Sequence, residues 1–186
     1  METLVFENTK KFRNWLEKNH TRCEGIWLKH FKKTSGVKSI SPIEALEQAL
    51  CFGWITGKPK KYDEKSWGIK YMPRRKGSLW SKINVGIAKR LIKEGNMSLP
   101  GLKEIQEAKK DGRWKRAYDP QSKSKIPDDF LTDLKKDKKA EKFFNTLNKT
   151  NLYSIFWRLQ TAKTQETREK WKKRIIEMLS KGERFH

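Results

Sequence analysis

A chain of 186 residues with a formal net charge of +22 has room for one domain or one domain with a helical extension, and no apolar run in it approaches the ~18 residues of a membrane span. Hydrophobic residues make up 35%, but eight tryptophans and nine phenylalanines each bury a large apolar area, which argues against disorder and predicts a small aromatic core beneath lysine. The charge is not localised: residues 1–93 hold 21 basic and 8 acidic side chains, and residues 94–186 hold 23 and 14. Charge of this kind predicts weak, non-specific, salt-sensitive adhesion to nucleic acid and marks no site.

The N-terminus "METLVFENTKKF" lacks the basic, apolar and small-residue order of a signal peptide. Cys23 and Cys51 lie far apart without metal-ligand spacing and read as reduced thiols, so the expected location is cytoplasmic. A first helix is predicted through "TKKFRNWLEKNH", with Phe12, Trp15 and Leu16 on one stripe. "EGIWLKHFKK" reads as a strand with Ile26 and Leu28 on one face and Trp27 and Phe31 on the other. "SPIEALEQALCFG" is the clearest helix: Ser41 caps it, Pro42 opens it, Glu44 completes a capping box and Gly53 stops it. Its buried stripe is predicted as Ile43, Leu46 and Leu50. Trp54–Tyr62 and Trp67–Met72 follow as two strands joined by a hairpin turn at "DEK".

Beyond residue 80 the pattern is nearly all helical. Ile83, Ile87 and Leu91 recur at four-residue steps, and Pro100 opens a helix with Leu102, Ile105 and Ala108. Later helices carry Phe130 and Leu134, then Phe143, Phe144 and Leu147, then Leu152, Ile155, Phe156 and Leu159, and last Trp171, Ile175 and Leu179 after Thr164. The expectation is an α+β protein: a three-stranded antiparallel sheet flanked by helices, with a helical C-terminal half. It is read as a single domain over 1–186, with 115–126 as the place where an internal boundary before a C-terminal extension would fall.

The stretch "YMPRRKGSLWSKIN" carries the candidate chemistry. Arg74 and Arg75 leave the third strand just before a Gly-Ser turn, Ser78 and Asn84 add neutral hydrogen-bonding groups, and Ser81 can cap the following helix. Trp80, with Trp54, is placed to wall a cleft or stack on a planar ligand. Arginine suits two parallel bonds to a carboxylate or phosphate, so the corner is a candidate anion site. The architectural alternative pairs the arginines with surface carboxylates, buries Trp80 and leaves Ser81 as a cap. No glycine-rich phosphate loop, zinc-binding histidine pair or other cofactor motif is present, and no catalytic residue or metal ligand is nominated. Asp63 and Glu64 occupy a turn, and Cys51, at a helix C-terminus among aromatics, reads as a buried neutral thiol.

Five segments in order, "ALCFGWITG", "YMPRRKGSLWSKIN", "KEGNM", "AKKDGRWKRAYD" and "AKTQETREKW", resemble the YdeI/OmpD-associated family, also labelled bacteriocin-protection proteins. The resemblance runs from about Trp15 to Lys181. It implies a role in resistance to bacteriocins or antimicrobial peptides, and the family name alone implies association with a porin. The family's first motif reads "GWIDG"; Thr56 stands at its acidic position here, so if that acid serves the arginines this chain either lacks it or uses Asp63 instead. Three readings follow: a stress-resistance protein binding a small anionic or planar ligand at the Arg74/Arg75/Trp80 corner, a basic nucleic-acid-associated protein, or an enzyme of another type at the same cleft.

Overall fold

The structure is a computed structural model that describes residues 1–185. The chain divides into two compact units, Met1–Trp80 with Asn84–Lys115, and Ser81–Ile83 with the residues from Arg116 onward. The first unit holds β1 (Thr3–Leu4), α1 (Thr9–Asn19), β2 (Ile26–Phe31), α2 (Pro42–Cys51), β3 (Trp54–Lys61), β4 (Ser66–Pro73), most of α3 (Lys82–Lys93) and α4 (Leu99–Lys110). The second holds α5 (Asp128–Leu134), α6 (Lys138–Phe144), α7 (Lys149–Gln160) and α8 (Gln165–Ser180).

The fold is α+β with a helical C-terminal half, and the sheet differs from the one expected. It has four strands in the order β1-β2-β4-β3, and it is mixed. β1 pairs parallel to β2 through Thr3↔Trp27 and Leu4↔Leu28. A two-residue strand displays no alternation for the sequence to reveal; its place is set by pairing, with the Trp27 N–H donating to the Glu2 carbonyl at 2.8 Å. β2–β4 and β4–β3 are antiparallel, and the β3 register shifts between Thr56 and Pro59. Proline has no N–H to give the ladder, so an irregularity on this edge strand is its natural place.

Paired residues share a face, which puts Ile26, Leu28 and His30 of β2 beside Tyr71, Ile69 and Trp67 of β4. α1 and α2 cover this face. Phe12 meets Tyr71 edge-on at 5.8 Å between centroids, and Trp15 meets Trp54 at 5.9 Å. The Ser41–Glu44 capping box is formed as the sequence predicts. The buried face of α2 is not Ile43 and Leu46 but Ala45, Gln48, Ala49 and Leu50, and Ile43 is 52% exposed. Small residues let the helix approach closely, so alanine rather than isoleucine faces inward. Likewise α3 buries Ala88 and Leu91, while Ile83 is exposed.

His30 is buried under this layer. Its Nδ1 lies 3.0 Å from the Ile40 carbonyl, and its Nε2 lies 3.4 Å from the Tyr71 hydroxyl. A carbonyl only accepts, so Nδ1 carries the proton and Nε2 accepts from Tyr71. Burial pushes the imidazole below its ordinary value, against the opposing effect of the Ile40 bond. The unfolded chain therefore binds a proton that the folded one refuses. This contribution to stability is complete above about pH 6.5 and is lost as pH falls from there toward the folded value. The urea midpoint of the wild type is expected to drop between pH 7.5 and 5.5 more than that of His30→Gln; equal drops would remove His30 as the cause.

In the second unit Phe130, Leu134, Ala140, Ile155, Leu159, Ile175, Leu179 and Phe185 form the core. Asp137, Asn148 and Thr164 cap α6, α7 and α8 through their side chains, which explains why one long polar stretch breaks into short helices. No helix among the described residues is long and apolar enough to cross a membrane.

Candidate functional site

The corner after β4 is built by two arginines. Arg74 follows the last strand residue, and its N–H donates to the Gly53 carbonyl at 3.0 Å, which ties the strand end to the α2–β3 turn. Its side chain is 7% exposed. The guanidinium carbon lies 3.7 Å from the Trp80 ring centroid, close enough for a strong cation–π contact, and Nη1 donates to the Leu79 carbonyl at 3.2 Å. The second arginine is Arg113, 8% exposed, from the turn after α4. Its Nη1 donates to the Ser78 carbonyl at 2.8 Å, while Nε donates to Asp111 at 2.6 Å. The Trp114 ring meets Trp80 edge-on at 4.9 Å.

Between these clamps the chain makes a tight turn. The Ser78 N–H donates to the Arg75 carbonyl at 2.9 Å, with Gly77 at φ 81°, a conformation that glycine takes without steric cost. Arg75 and Lys76 project from this turn into solvent, and Ser78 is half-buried beside them. The stretch thus separates into a fixed base, made by Arg74, Trp80 and Arg113, and an exposed cationic tip.

The nominated residues do not all share this place. Arg74, Arg75, Ser78 and Trp80 come together. Trp54 is fully buried, packs on Trp15 and donates its indole N–H to the His20 carbonyl at 3.2 Å. Ser81 falls with the second unit, where it bridges Tyr118, and Asn84 lies half-buried in the first turn of α3. Asp63, offered as the substitute acid, accepts from the Lys65 N–H and the Ser66 hydroxyl. It closes the β3–β4 hairpin at the end of the strands opposite Arg74, so it does not serve the arginines. Thr56 is half-buried within β3 and pairs with Tyr71.

The residue that the sequence reasoning missed is Arg113. It meets Ser78 from 35 positions away, and no local period announces such a contact. A signal did exist: it lies in "AKKDGRWKRAYD", one of the segments that carry the family resemblance. Two further perturbed groups lie in the core of the first unit. Burial raises the Cys51 thiol, against the lowering effect of Arg13, and burial raises the Tyr71 hydroxyl. A thiol held neutral in this way is a poor nucleophile. No cluster of metal-ligating side chains occurs among the described residues.

The chain is an α+β protein with an exposed cationic turn after β4, whose neighbouring carbonyls are bonded by Arg74 and Arg113. Residues 4–104, more than half of the chain, match the family model described as a domain of unknown function, DUF8412, and the chain belongs to that family. Residues 123–182 match the model described as bacteriocin-protection, YdeI or OmpD-associated. The last of the five resembling segments falls within this second match, the first three fall within the first, and "AKKDGRWKRAYD" lies between them. No curated protein and no solved structure matches the chain.

Proposed function

We propose that the chain is a binding protein for a small anionic or planar anionic ligand, held at the Arg75–Ser78 turn, and that this binding serves the protective role named in the description of its C-terminal domain. The observation that carries the reading is the pair of buried arginines fixing adjacent carbonyls of one short turn, Arg74 on Leu79 and Arg113 on Ser78. Burying two guanidiniums costs desolvation, and an ordinary connecting turn needs neither. A turn held this firmly presents Arg75, Lys76 and the Ser78 hydroxyl without the entropic penalty of ordering a loop on binding. Within this reading Arg74 and Trp80 support the site and Arg75 touches the ligand.

Mass action supplies the test, because a ligand that binds the folded state raises the melting temperature. At matched ionic strength sulfate is expected to stabilise the protein more than chloride does. Arg75→Ala is expected to remove most of that difference, and Lys58→Ala, which deletes an exposed charge on β3, to leave it. Equal losses in both variants would reduce the effect to screening of a +22 surface and overturn the site.

A further inference from the structure

The second unit contains an arginine set in an aromatic enclosure. Arg158 lies on α7, and its guanidinium carbon is 4.5 Å from the Trp171 ring centroid, 5.5 Å from Trp157 and 5.6 Å from Phe185. Its Nε is buried and makes no hydrogen bond, and it forms no ion pair with any carboxylate among the described residues. Beside it opens a cavity of about 310 Å³ lined by Tyr118, Tyr153, Ser154, Trp157, Arg158 and Phe185. Arg158 is the one charged residue among the described residues of that lining.

The surrounding polar groups are largely committed. The Tyr153 hydroxyl donates to the Asp119 carbonyl, and the Ser154 hydroxyl donates to the Thr150 carbonyl. The nearby Asp119 carboxylate is taken by Lys82 at 2.8 Å and by the Gln160 amide at 2.6 Å, so it is not offered to Arg158. What faces the cavity is therefore one guanidinium with no counter-ion among the described residues, and a set of aromatic walls.

We propose that this cavity binds an aromatic carboxylate. The volume sits at the small end of the range for ligand pockets, about 300–1,000 Å³, which admits one or two fused rings and not a nucleotide. A planar carboxylate matches the two-pronged donor edge of a guanidinium, and a desolvated pair of this kind is stronger than one in water. Trp157 and the two tyrosines supply faces and edges for the ring. An arginine serving only to pack α7 against α8 would leave both the cavity and the buried Nε unexplained.

Indole-3-carboxylate is the probe, titrated into the full chain by calorimetry, with indole and inorganic phosphate as partial ligands. Saturable binding of the probe is expected, at least tenfold tighter than either control, because each control lacks half of the recognition. Arg158→Gln is expected to weaken it at least tenfold. Ser154→Phe, which fills the cavity and keeps the arginine, is expected to abolish it, while Lys58→Ala, which deletes an exposed charge outside both sites, leaves it unchanged. Absence of saturable binding, indole binding as well as its carboxylate, or undiminished binding in a folded Ser154→Phe protein would each overturn the proposal.

Discussion

Gly101→Ala is expected to destabilise the first unit by about 2–3 kcal/mol, whereas Gly86→Ala should stabilise it by about 0.5–1 kcal/mol. Both glycines lie inside helices, α4 and α3, where alanine is intrinsically the better residue. They differ in what a Cβ would meet. At Gly86 there is open space. At Gly101 the added carbon would stand 2.5 Å from the Cys51 carbonyl oxygen and 2.6 Å from that of Leu50. Those are backbone atoms at the C-terminus of α2, which cannot swing aside as a side chain would. The two helices would have to separate, opening the layer that contains Ala49 and Leu50. Urea denaturation of the two variants checks this directly. Opposite signs follow from the packing; the same sign would mean that α2 and α4 do not meet at Gly101.

Lys172→Met is expected to cost about 2 kcal/mol in the second unit. Lys172 is 5% exposed on α8, and its ammonium meets Asp133 at 2.5 Å, Asp129 at 3.2 Å and Glu169 at 3.4 Å. Arg168, one turn earlier, grips Asp129 with its two terminal guanidinium nitrogens, at 2.5 and 2.8 Å. Two acids four apart on α5 thus face two cations four apart on α8. Methionine keeps the apolar stem and removes the charge that balances the acids. The loss is placed below the ~3–5 kcal/mol of a fully buried pair because the carboxylates remain partly in water. The same network contributes to the pH dependence of stability in acid. Arg168, with Lys172 beside it, holds the Asp129 carboxyl well below the usual range, against the opposing effect of burial. Its contribution is present above about pH 4 and is lost as pH falls through the folded value. Denaturation from pH 7 to 2 is expected to show a shallower acid loss in Lys172→Met than in the wild type. An unchanged midpoint and an unchanged acid arm would show that the network contributes nothing.

The elements legible in the sequence are those whose signals are local. Ser41, Pro42 and Glu44 announce α2 within four residues, and Thr164 announces α8. The alternation along β2 and β4 fixes which face is aromatic. β1 was not legible because two residues have no period. On α2 and α3 the sequence points to Ile43 and Ile83 while the buried faces carry Ala45, Ala49 and Ala88, since hydrophobicity marks the larger residue whereas close helix packing selects alanine. At the corner, Arg74, Arg75, Ser78 and Trp80 are neighbours in sequence, so their proximity is local and legible. Trp54 was drawn in by its chemistry, and its indole is instead held by α1. The clamp from Arg113 and the pairing of α5 with α8 join residues 35 or more positions apart, and such contacts are written in the tertiary structure alone.

The claim that the clamped turn is an anion site is tested most directly by titrating inorganic phosphate into ¹⁵N-labelled protein at fixed ionic strength and following every backbone amide. Saturable shifts concentrated in residues 75–79, absent in Arg75→Ala, are the expected result. Non-saturating shifts spread over the lysine-rich surface, the same in wild type and Arg75→Ala, would contradict it.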